Sequence, residues 1–227
     1  MHWILLPSII IAVIFGPGLW VKRVMTRYSQ PADRYQGTGG ELARHLLDRL
    51  DLKEVRVEET EKGDHYDPQE KVVRLTADKF SGRSLTAVTV AAHEVGHALQ
   101  DAHGYGPLKV RTRLVDLTQH AQRFGAGVLM AAPVIGILTR APSVAGLMLL
   151  GGFLSLGSAT LVHLVTLPME LDASFKRALP LLEQGEYLHE ADLPHARRLL
   201  KAAALTYVSA SLMSLLNIAR WWALVRR

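Results

Sequence analysis

A chain of 227 residues without cysteine has no disulfide framework and no thiolate metal site, so any metal it holds is bound through histidine and carboxylate. Its hydrophobic fraction of 49% is ordinary for a globular protein, but long apolar blocks alternate with charged ones. The net charge of +5 and isoelectric point of about 9.6 come from Lys and Arg that flank the apolar blocks, a pattern that points away from nucleic acid and toward lipid.

The first block, Trp3 to Val21, is apolar and long enough to cross a bilayer. A cleaved signal peptide would carry its positive charge first and a small-x-small site near its end. Here Lys22-Arg23 follow the apolar run and Gly16-Pro17-Gly18 interrupts it, which predicts an uncleaved anchor over residues 1–21, kinked at Pro17. Residues 22–123 have the balance of a soluble, catalytic portion. Gly37-Thr38-Gly39-Gly40 reads as a turn, and Glu41 to Leu50 as a helix with Leu42, Leu46 and Leu50 on one face. Val55 to Glu58 and Val72 to Leu75 read as short strands joined by the polar stretch Glu59 to Gln69, a β-hairpin. Leu85 to Gln100 predicts a buried helix closed by Gly104-Tyr105-Gly106-Pro107, with a further helix from Leu108 through His120.

Two apolar blocks follow, 124–139 with Pro133 inside it and 144–167, separated only by Arg140-Ala141-Pro142-Ser143; this predicts a transmembrane hairpin over 124–167. The charged segment 168–201 reads as interfacial and helical in pieces. The last segment, 202–227, predicts a transmembrane or interfacial helix, its apolar run broken by Thr206, Ser209, Ser211, Ser214 and Asn217. The competing reading of each block is a buried helix of a soluble protein.

Within the buried helix stands His93-Glu94-Val95-Gly96-His97, the H-E-x-x-H spacing. Residues four apart share one helical face, so both imidazoles aim at one point, while Glu94 is turned partly aside and reaches a water without occupying a metal position. The preceding run Leu85 to Ala92 is small and apolar, so polar His93, Glu94 and His97 are costly there without a partner. Gly96 weakens a helix by about 1 kcal/mol relative to Ala, which predicts a close approach by another segment.

Two histidines do not hold zinc alone. The candidates for a third ligand are His103, His120, His163, Glu170, Asp172 and His195. The longer H-E-x-x-H form with a nearby third His needs Gly where Gln100 stands. Glu170 is favoured because a hairpin of two spans returns the chain to the side where it began. The alternative is that Glu170 and Asp172 are interfacial carboxylates at the start of the next helix.

Ala91 to Gln100, Asp64-His65-Tyr66-Asp67-Pro68 and Leu167 to Ser174, together with Tyr105-Gly106-Pro107-Leu108 and Ala202 to Val208, resemble the YugP family of bacterial membrane zinc metallopeptidases over nearly the whole chain. The resemblance implies a membrane-bound neutral zinc peptidase of gluzincin type, with His93, His97 and Glu170 as zinc ligands and Glu94 as the base. The gluzincin pattern often has an Asp four residues after the ligand Glu, orienting a ligand His; Ser174 stands there, which leaves Asp172 or Asp101 to supply that support. The fold class that follows is a mainly α membrane protein: a zincin-like catalytic portion with a small β-hairpin plus three to four transmembrane helices.

The reaction implied is peptide-bond hydrolysis with Zn2+ as cofactor. An oxyanion needs a donor besides the metal, and the candidates are His65 or Tyr66, with Arg177 behind them. The competing reading makes Asp67-Pro68 a turn and His65 a solvated side chain. An extended substrate could pair with the strand at Val72–Leu75 or Val55–Glu58. Lys22, Arg23, Arg27, Arg111, Arg113, Arg123, Lys176, Arg177, Arg197, Arg198 and Lys201 all fall on one side of the predicted spans. The positive-inside rule then places the motif helix and Glu170 on the cytoplasmic face of a bacterial plasma membrane. The partners implied are a polypeptide or membrane-protein substrate and the lipid bilayer, with no nucleic acid; the sequence leaves the oligomeric state open. A non-catalytic metal-binding scaffold or transporter is the alternative, but it has no need of Glu94. The ligand set is equally usable by cobalt or manganese.

Overall fold

The computed structural model describes residues 2–140 and 142–225. The side chains at 2–10, 133, 142, 145, 152–153, 155–157, 159–161, 163–165 and 213–225 lie outside the description. The fold is mostly helical, with one small sheet. In chain order it runs α1 (His2–Arg27), α2 (Gly39–Arg49), β1 (Arg56–Glu59), β2 (His65–Asp67), β3 (Val72–Leu75), α3 (Ala77–Phe80), α4 (Leu85–Ala102), α5 (Gly106–Thr139) and α6 (Pro142–Leu171). A π-helical turn (Asp172–Ala178), α7 (Leu179–Gln184), a 3-10 turn (Glu190–Asp192) and α8 (Leu193–Val225) complete it. The chain divides into two compact units, one of residues 1–18, 110–166 and 207–227, the other of 19–109 and 167–206.

The expected transmembrane helices are not borne out: among the described residues no helix is long and apolar enough to cross a membrane. The apolar runs do not coincide with the helices. The run at 124–139 is the second part of α5, a single 34-residue helix whose first part carries Lys109, Arg111, Arg113, Asp116 and Arg123. The run at 202–219 continues α8, which begins with Arg197, Arg198 and Lys201. Much of 144–167, the third expected span, falls on side chains outside the description. The cytoplasmic orientation argued from flanking charge had those spans as its premise and carries no further.

The expected hairpin is also corrected. The strands at Arg56–Glu59 and Val72–Leu75 are parallel neighbours, paired Arg56 to Val72 through Glu59 to Leu75, and the sheet order is β1-β3-β2. Parallel neighbours cannot be joined by a tight turn, so the chain reverses twice. The stretch read as a polar loop contains β2, antiparallel to β3 with Tyr66 opposite Val73. Three residues with one apolar side chain leave no hydrophobic pattern to read. Because β3 is central, it has no free edge for a substrate; β1 and β2 are the edges.

The unit of residues 19–109 and 167–206 has a core built on α4. Val88, Ala91, Ala92, Val95 and Ala98 of that helix pack with Leu46 and Leu47 of α2, Val73 and Leu75 of β3, and Leu182, Leu199 and Leu200 from the C-terminal part. Helix α2 starts on a capping box: Thr38 accepts from the Glu41 N–H and Glu41 accepts from the Thr38 N–H. Gly39 and Gly40, read as a turn, form its buried first turn. A Cβ on Gly39 would lie 2.4 Å from the Lys79 carbonyl oxygen and 2.8 Å from that of Ala87, so only glycine lets α2 sit this close to α3 and α4.

A candidate metal centre on helix α4

Ser84 caps the N-terminus of α4 by accepting from the Ala87 N–H, and the small side chains that follow bury the helix on all sides. One turn apart on it, His93 and His97 are buried, their rings 4.8 Å apart between centroids. The third member arrives from the end of α6. Glu170 is fully buried, with Oε2 3.3 Å from His93 Nε2 and 3.2 Å from His97 Nε2. Donor atoms of these three residues lie within 4.8 Å of one another, as a shared cation requires.

Gly96 permits this meeting. A Cβ there would stand 2.7 Å from the Ala173 carbonyl oxygen, so α4 and the π-helical turn cross in backbone contact at the motif itself. The approach anticipated from the glycine is this crossing.

The other nitrogen of each imidazole is held. The Ser174 hydroxyl donates to the Leu200 carbonyl at 3.1 Å, so toward His93 Nδ1, also at 3.1 Å, it acts as acceptor. Gln100 Oε1 lies 3.0 Å from His97 Nδ1, and the Gln100 amide N donates to the Met169 carbonyl and to Asp172, each at 2.9 Å. A flipped amide would face its oxygen toward two acceptors, so the assignment follows from the surroundings. Both Nδ1 atoms are therefore donors, and both Nε2 lone pairs point at Glu170. Lone pairs facing a carboxylate repel unless a cation or a proton lies between them. Glu170 Oε1, buried without a hydrogen-bond partner, is a second acceptor open to such a cation. By donor chemistry, burial and this orphaned oxygen, the three residues fit zinc.

The electrostatics show how strongly the buried groups couple. Burial alone would raise the Glu170 carboxyl, yet His97 and His93 hold it far below the usual carboxylate range. Burial would lower His97, but Glu170 beside it pushes the ring up to about 9. Glu94, buried beside them, is pushed up chiefly by burial; the two histidines oppose the shift, and Glu170 and Asp64 add to it.

The structure brings His93, Glu94, His97 and Glu170 together and leaves the other candidates elsewhere. His65 Nδ1 bonds the Gly63 carbonyl at 2.8 Å. Tyr66, its neighbour on the opposite face of β2, donates to Asp101 at 2.8 Å, and Lys71 pairs with the same carboxylate. Asp101 thus supports the sheet, not a ligand. Arg177 donates to Asp172 at 2.8 Å and to His103 Nδ1 at 3.0 Å. His120 bonds a carbonyl of its own helix, His195 meets Tyr28, and His163 lies outside the described side chains. Gln100 was missed as a contact of the centre, being read only as the residue that breaks the longer motif. Its place three residues after His97, on the same helical face, was the available signal.

The family model described as "Putative neutral zinc metallopeptidase" matches residues 2–226. The chain is 34% identical over 223 residues to "Putative membrane protease YugP" of Bacillus subtilis (strain 168), an alignment that covers 97% of this chain and 95% of that protein. No solved structure matches.

Proposed function

We propose that this chain, which belongs to the neutral zinc metallopeptidase family, is a zinc-dependent endopeptidase, with His93, His97 and Glu170 as metal ligands and Glu94 as general base. The observation that carries the reading is the convergence of two imidazole Nε2 atoms and a carboxylate on one buried point, inside an H-E-x-x-H helix.

Zinc, when bound, supplies Lewis acidity to a water and to the scissile carbonyl. The chain's own residues do the rest. Ser174 and Gln100 keep both imidazoles in the tautomer that presents Nε2. Glu94 is buried beside both histidines, and burial raises its affinity for protons, the direction a general base needs. It takes a proton from the attacking water and delivers it to the leaving amine nitrogen as the C–N bond breaks. The substrate is polypeptide, and the site of action is a membrane. The relative's printed name supports that placement, as do large apolar side chains exposed on α5 and α6: Phe124, Ile137 and Leu138 at 77% each and Leu147 at 70%.

Cleavage of unfolded casein by the purified chain tests the reading. Activity that disappears with chelator and returns with zinc is expected; zinc bound without cleavage would favour a metal-binding scaffold instead.

A further inference from the structure

Gln100 is fully buried, yet it uses its amide in three directions: His97 Nδ1, the Met169 carbonyl and Asp172. Two of these partners lie on the segment that delivers Glu170, one residue before it and two after. Asp172 is in turn gripped by Arg177 and lies 3.6 Å from Lys176. Asp172 and Arg177 are five residues apart. On an α-helix, at about 100° per residue, they would diverge by about 140°. The π-helical turn Asp172–Ala178 widens the helix and brings them onto one face. The local irregularity thus has a consequence at the ligand: Arg177 fixes Asp172, Asp172 and Met169 fix the amide, and the amide oxygen fixes His97.

We propose, resting on the zinc reading above, that Gln100 is the positioning residue of the metal centre. It locks His97 with Nε2 toward the metal and ties that histidine to the segment carrying Glu170, and the π-helical turn holds Gln100 in register for both tasks. Ser174, on the Glu170-bearing segment itself, accepts from His93 Nδ1 and donates to the Leu200 carbonyl, so each histidine is tied to that segment by a different side chain. Gln100 spans both arms of the site, so its loss releases His97 and loosens Glu170 together.

The test is zinc affinity of the full chain, measured by competition with a chromophoric chelator, together with circular dichroism melting of each variant without metal. Q100L removes the acceptor at nearly constant volume and should weaken zinc binding about 10- to 100-fold. Cobalt-loaded Q100L should also show a visible d–d spectrum shifted from that of the cobalt-loaded parent, because His97 is no longer fixed at the metal, which a purely structural role for Gln100 would not produce. If Q100L does not fold, D172A carries the test, with a loss of severalfold or more expected. Zinc affinity of the folded Q100L or D172A within twofold of the parent overturns the inference alone, as does a cobalt spectrum of Q100L identical to the parent's. A folded parent that takes up no zinc, or H97A that binds zinc as tightly as the parent, overturns the zinc reading and the inference with it.

Discussion

Gly96 and Ala173 cross so closely that a Cβ on the glycine would stand 2.7 Å from the Ala173 carbonyl oxygen. One side of this crossing carries both histidines of the motif, and the other carries Glu170 and Ser174. Gly96→Ala gains about 1 kcal/mol of helix propensity but forces two backbones apart. The overpacking outweighs that gain, and a net loss of about 1–3 kcal/mol is expected in chemical denaturation. Zinc affinity should fall with it, because the displaced backbone is the one that sets Glu170.

Glu94→Gln separates binding from turnover. The side chain keeps its shape but can no longer accept a proton, while His93, His97 and Glu170 are untouched. Casein cleavage should drop by about 10²- to 10⁴-fold with zinc content unchanged by elemental analysis. Full activity in this variant would remove Glu94 from the mechanism.

The motif was legible in the sequence because helical spacing is a local rule: residues four apart on one helix must share a face, and Gly96 marked a contact. Glu170 was not legible in that way: it was favoured through a two-span hairpin that the structure does not bear out, and through the family resemblance. The support around them was less legible. Gln100 and Asp172 are joined only by the path of α5 and α6 between them, and nothing in the local pattern announces that a π-helical turn will bring Asp172 opposite Arg177. The sheet failed for a related reason. Val55 to Glu58 and Val72 to Leu75 were correctly read as extended, but pairing direction is set by the connection, and the connection hid a three-residue strand. The apolar blocks misled because composition says nothing of where a helix begins; α5 joins a charged stretch and an apolar one into a single rod.

His65 and Tyr66 offer a check on the β2 segment. Tyr66 is spent on Asp101 and His65 on the Gly63 carbonyl, and strand alternation puts them on opposite faces. Tyr66→Phe should cost about 1 kcal/mol of stability, the worth of one hydrogen bond, and His65→Ala less. Neither should change kcat by more than severalfold in casein cleavage. A loss of a hundredfold or more in His65→Ala would return His65 to the catalytic set.

Asp192 predicts how stability responds to acid. Burial tends to raise its carboxyl, but hydrogen bonds from Arg34 and Tyr35 prevail and hold it below the usual range. A group with a depressed folded value contributes stability above its unfolded value, about 3.9, and loses it as pH falls through the folded one. The gap in melting temperature between the parent and Asp192→Asn should therefore be full at pH 6–7 and close progressively below about pH 4. A gap that does not change with pH would mean that the Asp192 charge adds nothing.

Glu170→Gln tests the ligand that stands farthest from the motif in sequence. The amide keeps the volume and one acceptor oxygen but removes the charge, and it introduces an N–H₂ group among two imidazole lone pairs and an oxygen without a partner. Metal binding to the folded chain stabilises it by about 4 kcal/mol when free zinc exceeds the dissociation constant a thousandfold. The parent should therefore melt several degrees higher with zinc than without, and Glu170→Gln should show little or no such rise. Because each protein is compared with itself, with and without metal, the intrinsic cost of the substitution cancels. A zinc-induced rise equal to the parent's would mean that the histidines bind without Glu170, and that its burial between them serves packing alone.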